Sequence, residues 1–209
     1  MEKTTQFVIT ISRQLGCGGA YLGQQLAEKM NIFYADREII RKAAKQLSTL
    51  EEDLELRDEK VFSFWNSFFQ TTTFIPDVYI PQKMMTPTDR ELFEAETEVI
   101  EHIVKERSAV IIGRCGFHIF REYPNHVSIF LHGDIAFRNE RIKKQYNVSK
   151  EVAGKMIAQN DKERALYCKT FTGKDWADAR NYDICIDTSK VDIDKTVELI
   201  LNYLKLTQK

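Results

Sequence analysis

FVITISRQLGCGGAYLGQQL, residues 7–26, decides the fold. Phe7-Val8-Ile9-Thr10-Ile11 is β-branched and almost continuously apolar, the composition of a strand buried on both faces of a parallel sheet. Gly16, Gly18 and Gly19 follow. Leu22, Leu26 and Ala27 then recur at helical spacing as far as Met30, where Asn31 can end the helix. A strand, a glycine-rich turn and a helix start leave several backbone N–H groups at the positive end of a helix dipole, where an anion can sit without a side-chain ligand. Gly16, Cys17, Gly18, Gly19 and Ala20 are therefore the candidate phosphate-binding residues. The plainer alternative is a tight strand-to-helix turn that binds nothing. A standard phosphate loop ends in Gly-Lys followed by Ser or Thr; here the corresponding residues are Gly18-Gly19-Ala20, without lysine or hydroxyl.

Outward from that stretch, strand and helix patterns alternate about five times. Ile32-Phe33-Tyr34 reads as a second strand, and Asp36 can cap a helix running through Leu47. Glu51 to Lys60 is charge-dense and reads as a solvated helix face. Val61 to Pro87 carries many aromatics and three of the four prolines without a sustained period. Such an insertion covers a groove, meets a substrate or packs against a second subunit, with Trp65, Phe68, Phe69 and Tyr79 as its anchors. Thr88 and Glu91 form a capping box ahead of a helix whose apolar face is Leu92, Ala95, Val99, Ile100 and Ile103. Ala109-Val110-Ile111-Ile112 is a third strand, ending abruptly in Gly113-Arg114-Cys115-Gly116. Further patterns predict a helix over Phe117 to Glu122 and a strand over His126 to Leu131. His132-Gly133-Asp134 opens the next helix, and another spans Ser149 to Tyr167. A loop over Phe171 to Trp176, a fifth strand over Tyr182 to Asp187 and an amphipathic helix from Ile193 to Leu206 complete the chain.

That alternation predicts a single α/β domain, a three-layer α/β/α sandwich with a mostly parallel five-stranded sheet. Ligands in this class bind beyond the carboxyl ends of the strands, which here carry Arg13, Arg114, His132, Asp134 and Asp187.

Bulk properties narrow the function. The 209 residues are 43% hydrophobic and 29% charged with a formal net charge of -1, ordinary values that give no global attraction to nucleic acid or membrane. No apolar run approaches membrane-spanning length and the amino terminus lacks a signal-peptide core, so the expected home is the cytoplasm. Cys17, Cys115, Cys168 and Cys185 have no paired short spacing, which argues against a zinc site or a disulfide framework. The four histidines, His102, His118, His126 and His132, have no metal-ligand spacing either, so no metal site is predicted from side chains. Phosphoryl transfer asks the protein for donors and positive charge around phosphates, and arginine supplies both through a planar fork. Arg13 in the loop and Arg114 after the third strand suit that role, and Lys162, Arg164, Lys169 and Lys174 form a later basic cluster.

Three separated stretches, ITISRQLGCGGAYLGQQLAEKM with FYADREII, AVIIGRCGFHIFREYPNHVSIFLHGDIAFRNERI, and DKERALYCKTFTGKDWADARNYDICIDTS, together resemble the cytidylate kinase-like family of P-loop nucleoside monophosphate kinases. The resemblance implies a P-loop kinase-like fold over residues 1–209, with the aromatic insertion at about 51–87 and a lid at about 147–176. It implies ATP and Mg2+ as cofactors and phosphoryl transfer to a nucleoside monophosphate or similar small acceptor. Arg114 keeps the family's acceptor-contacting arginine while Cys115 replaces the aspartate after it; Asp36 falls near the acceptor region; Lys162 and Arg164 resemble the arginine-rich lid. With Gly19 at the lysine's place, Arg13 or a lid residue is expected to supply the missing charge. Nucleotides are the implied partners, with neither nucleic acid nor membrane, and a homo-oligomer through the aromatic insertion is a further expectation. The rival reading is a degenerate kinase fold that binds a nucleotide without turnover, as a sensor or interaction partner.

Overall fold

A computed structural model describes residues 6–51, 65, 67–69 and 88–207. The opening stretch forms β1 (Val8–Arg13), with all six residues buried, and α1 (Gly19–Met30). Then come β2 (Phe33–Ala35), α2 (Arg37–Glu51), α3 (Thr88–Glu106), β3 (Ala109–Ile112), the short α4 (Gly116–Ile119) and β4 (His126–His132). The chain continues through α5 (Ile135–Tyr146), α6 (Lys150–Thr172), a 3-10 turn (Ala179–Asn181), β5 (Ile184–Asp187) and α7 (Ile193–Thr207).

The five strands run in the order β2-β3-β1-β4-β5, and every pairing is parallel. β1 lies in the middle because both of its faces are apolar. Alternation along the strands divides the core in two. Val8, Ala109 and Ile111 face α2 and α3, where they pack with Ile40, Ala43, Val99, Ile100 and Ile103. Ile9, Ile11, Val110 and Ile112 face α1 and α7, meeting Leu22, Leu26, Val197 and Ile200. This is the three-layer sandwich the sequence predicts.

Local signals set the element ends. Asn31 closes α1 in the left-handed conformation at φ 52°. Asp36 Oδ1 accepts from the N–H groups of Glu38 and Ile39 at 3.0 and 3.1 Å and so starts α2. Asp134 and Ser149 cap α5 and α6 in the same way. Two boundaries differ from expectation. The helix predicted to stop at Tyr167 continues through Phe171 and Thr172, because the Phe171 ring stacks on Phe93 at 4.4 Å and Gly173 supplies the left-handed cap at φ 68°. The helix predicted over Phe117 to Glu122 is only the single turn of α4, ending at Phe120.

Trp65 is buried against α3, its ring stacked 3.8 Å from that of His102, and Phe68 and Phe69 pack on Phe33. These three aromatics are packing residues, as is His102. Tyr79, the charged stretch from residue 52 to Lys60 and the Thr88 side chain lie outside the described residues. Among the described residues, no helix is long and apolar enough to cross a membrane.

Candidate phosphate and acceptor site

Five residues, Gln14 to Gly18, join β1 to α1 at the carboxyl edge of the sheet. The tightness of the turn demands glycine. Gly16 and Gly18 have φ of 90° and 77°, and a Cβ on Gly16 would sit 2.9 Å from both the Cβ and the carbonyl oxygen of Arg138. The first hydrogen bond of α1 runs from Leu22 N–H to Gly18 O at 3.0 Å. Helix geometry therefore leaves the N–H groups of Gly19, Ala20 and Tyr21 without intrahelical acceptors, and Gly18 offers no side chain to cap them. An anion completes such an end. Cys17 is fully buried, and burial pushes its thiol up to about 11, so it fills space rather than acting as a nucleophile.

The loop is braced from α5 and α6. Asp161 Oδ1 accepts from Leu15 N–H at 2.9 Å, and its other oxygen takes a hydrogen bond from Arg138 Nη1 at 2.6 Å. Arg138 also donates to Leu15 O at 3.3 Å and to Gly133 O at 3.0 Å. Arg164 donates to the carbonyl oxygen of Arg13. An apolar cluster of Leu15, Ile142, Ala153 and Ile157 backs these polar contacts. Of the two sequence-predicted lid residues, the structure thus brings Arg164 to the loop, whereas Lys162 lies exposed on α6.

Arg13 is buried, with its methylenes against Gly19 and its Nη1 over Gly113, where an added Cβ would approach to 2.6 Å. Its guanidinium therefore lies between the ends of β1 and β3. Next to it, Gly113, Arg114 and Cys115 take three successive positive φ values of 76°, 52° and 56°. Left-handed conformations at non-glycine residues are costly and concentrate at functional sites. This turn puts the Arg114 side chain in a buried ion pair with Glu96 and over the Tyr167 ring at 4.4 Å. Burial lowers the Arg114 pKa to about 10, which leaves it charged at neutral pH. Arg41 Nε lies 4.0 Å from the other Glu96 oxygen. Burial and the neighbouring Arg41 and Arg13 together lower the pKa of Arg37. Arg13, Arg37, Arg41 and Arg114 thus lie near one another at one edge of the sheet, where Arg114 and Arg41 meet the buried carboxylate of Glu96.

Asp36 is buried and starts the helix that carries Arg37 and Arg41. Asp134 and Asp187 serve local turns, accepting from Ala136 N–H and Ser189 N–H respectively. Sequence reasoning missed Arg37, Arg41, Glu96, Tyr167, Arg138, Arg141 and Asp161. Two signals were available: Arg37 and Arg41 are one helical turn apart just after a strand end, and Glu96 is an acid on the apolar stripe of its helix.

The loop suits phosphate, with its unpaired helix end and surrounding arginines. Its side chains offer few ligands to a magnesium ion, which in sites of this kind is held largely by substrate phosphates and water. Ala20 replaces the usual hydroxyl, Ser12 is engaged by Tyr182, and no cluster of three or more His, Cys, Asp or Glu exists among the described residues.

Comparison with known proteins identifies relatives of the chain. The chain is 30% identical over 114 residues to a cytidylate kinase of Saccharolobus islandicus, a match that covers 54% of this chain and 60% of that protein. The solved structure of an uncharacterized protein from Eubacterium ventriosum superimposes with a TM-score of 0.72 at 26% identity, covering 96% of this chain and 99% of that one. A shikimate kinase from Bacteroides thetaiotaomicron shares the fold at 13% identity, with a TM-score of 0.54 and coverage of 95% of this chain and 98% of that one. The cytidylate kinase-like family model matches residues 8–190, a span that includes the loop, the Gly113-Arg114 turn and both bracing helices. A match over most of the chain shows that it belongs to the cytidylate kinase-like family.

Proposed function

We propose that the protein transfers the γ-phosphoryl group of ATP to a nucleoside monophosphate or a similar small acceptor. One observation carries this reading: the open N-terminus of α1 and the cluster Arg13, Arg37, Arg41 and Arg114 share the carboxyl edge of the sheet, so two anions can be held side by side. In this reading Gly16 to Ala20 receive the donor phosphates on backbone N–H groups. Arg114 and the α2 arginines hold the acceptor, with Asp36 setting the start of their helix. Arg13 lies between the two sites and stabilises charge that builds on the transferring group, an effect that is strong where water is excluded. Arg164 fixes the backbone of Arg13, and the exposed Lys162 is the remaining lid cation. An oxygen of the acceptor attacks the γ-phosphorus as the bond to ADP breaks.

A second reading, nucleotide binding without turnover, is favoured by Gly19 and Ala20 at the positions of the lysine and hydroxyl. ADP formation from ATP against a panel of nucleoside monophosphates and small alcohols, with thermal-shift binding in parallel, separates the two. Acceptor-dependent ADP formation is the expected outcome. Thermal stabilisation by nucleotides without ADP release across the panel would favour the second reading.

A further inference from the structure

The loop lacks its lysine, and the structure offers a substitute from outside it. A Cβ built on Gly18 would lie 2.8 Å from Arg141 Nη2, 3.0 Å from Arg141 Nη1 and 2.9 Å from Ile193 Cδ1. Both terminal nitrogens of one guanidinium therefore rest against the residue that caps α1, next to Gly19, where the lysine would stand. Only glycine admits this contact, because any side chain at position 18 would displace the fork. The other arginines around the loop have different engagements. Arg138 is paired with Asp161, Arg164 donates to Arg13 O, and the Arg13 guanidinium lies over Gly113 on the acceptor side. Arg141 is half-buried, and among the described residues no carboxylate forms an ion pair with it. It projects from α5, the helix whose Arg138 braces the same loop, so its stem is held by a fixed element.

The geometry points to Arg141 as the donor-phosphate cation of this enzyme, reaching from α5 across Gly18 to supply the charge that the loop's own sequence lacks. A guanidinium is suited to that place, since it stays protonated and offers two parallel N–H groups to phosphate oxygens. The inference rests on the phosphotransfer reading and adds the residue that makes it workable without the lysine.

Calorimetric titration with inorganic tripolyphosphate, which has no base or ribose, tests it alongside ATP on the wild type and on Arg141→Ala, Arg141→Met and Arg141→Lys. Arg141→Met keeps the apolar stem beside Ile193 and serves if the alanine variant folds poorly. Lys144→Ala, an exposed change on the same helix, controls for long-range charge. The expected result is an affinity loss of about 10- to 100-fold for both ligands in the alanine and methionine variants, the range of a charge-assisted hydrogen bond. Partial recovery is expected with lysine, and a change of less than about twofold at position 144. A loss for ATP alone would place the arginine on the base or ribose and overturn the assignment. Unchanged binding of both ligands would overturn it while leaving the phosphotransfer reading intact. A wild type that binds neither ligand would bring down that reading and this inference together.

Discussion

Buried charge at single residues shows where this fold departs from pure packing. Glu96 is 1% exposed, and a carboxylate so deep survives only when paired. Arg114 and Arg41 provide the pairing, and the stacked Tyr167 ring fixes the guanidinium plane of Arg114. His126 shows the opposite solution, a titratable group kept neutral. Its Nε2 is 2.7 Å from Thr10 Oγ1, and burial lowers its pKa to about 4. The ordinary value is about 6.5, so between pH 6.5 and 4 the unfolded chain binds a proton that the folded chain refuses. Stability contributed by the neutral ring is therefore complete above about pH 6.5 and declines as the pH falls through that window. Chemical denaturation from pH 7.5 to 4.5 should show this decline in the wild type and a shallower one in His126→Gln. Parallel curves would place the acid sensitivity elsewhere.

Among the elements, α6 has the widest influence. Its Asp161 accepts from Leu15 N–H and pairs with Arg138, its Arg164 reaches Arg13 O, and its Tyr167 underlies Arg114. One helix thereby touches both the β1–α1 loop and Arg114, and its 23 residues relate the two. Asp161→Ala leaves Leu15 N–H without its acceptor and Arg138 without its partner in a largely buried setting. The expected cost is about 2–4 kcal/mol of stability by urea denaturation. ATP affinity should fall about tenfold as the loop loosens, a loss comparable to one charge-assisted hydrogen bond. Loss of stability with unchanged ATP affinity would show that the brace does not shape the loop. The extension of α6 past Tyr167 also explains why its end was hard to see in the sequence. The continuation goes with Phe171 meeting Phe93 from α3, a contact invisible to local propensity, while the stop itself is the left-handed Gly173.

For the molecule as a whole, legibility followed the range of the interaction. The near-continuous apolar runs of β1 and β3, the Asp36 cap and the Asn31 stop are written within a few residues of where they act, and each was readable. The tight glycine turn from β1 into α1 was readable because glycine spacing is itself local. The bracing pair Arg138–Asp161 spans 23 residues and the approach of Arg141 to Gly18 spans β2, β3 and β4 with the helices α1 to α4, so neither leaves a local pattern. The loop's departure from the usual Gly-Lys ending suggests degeneracy in the sequence, whereas the folded chain surrounds that same loop with arginines drawn from β1, α5 and α6.

Phosphorus NMR of a mixture of ATP, magnesium and a nucleoside monophosphate with the protein tests the central claim most directly, because it separates transfer from hydrolysis. The account predicts that ATP resonances decline as those of ADP and a new nucleoside diphosphate rise in equal amounts, without inorganic phosphate. Release of inorganic phosphate with the monophosphate unchanged, or no change in any resonance across the panel of monophosphates, would contradict it.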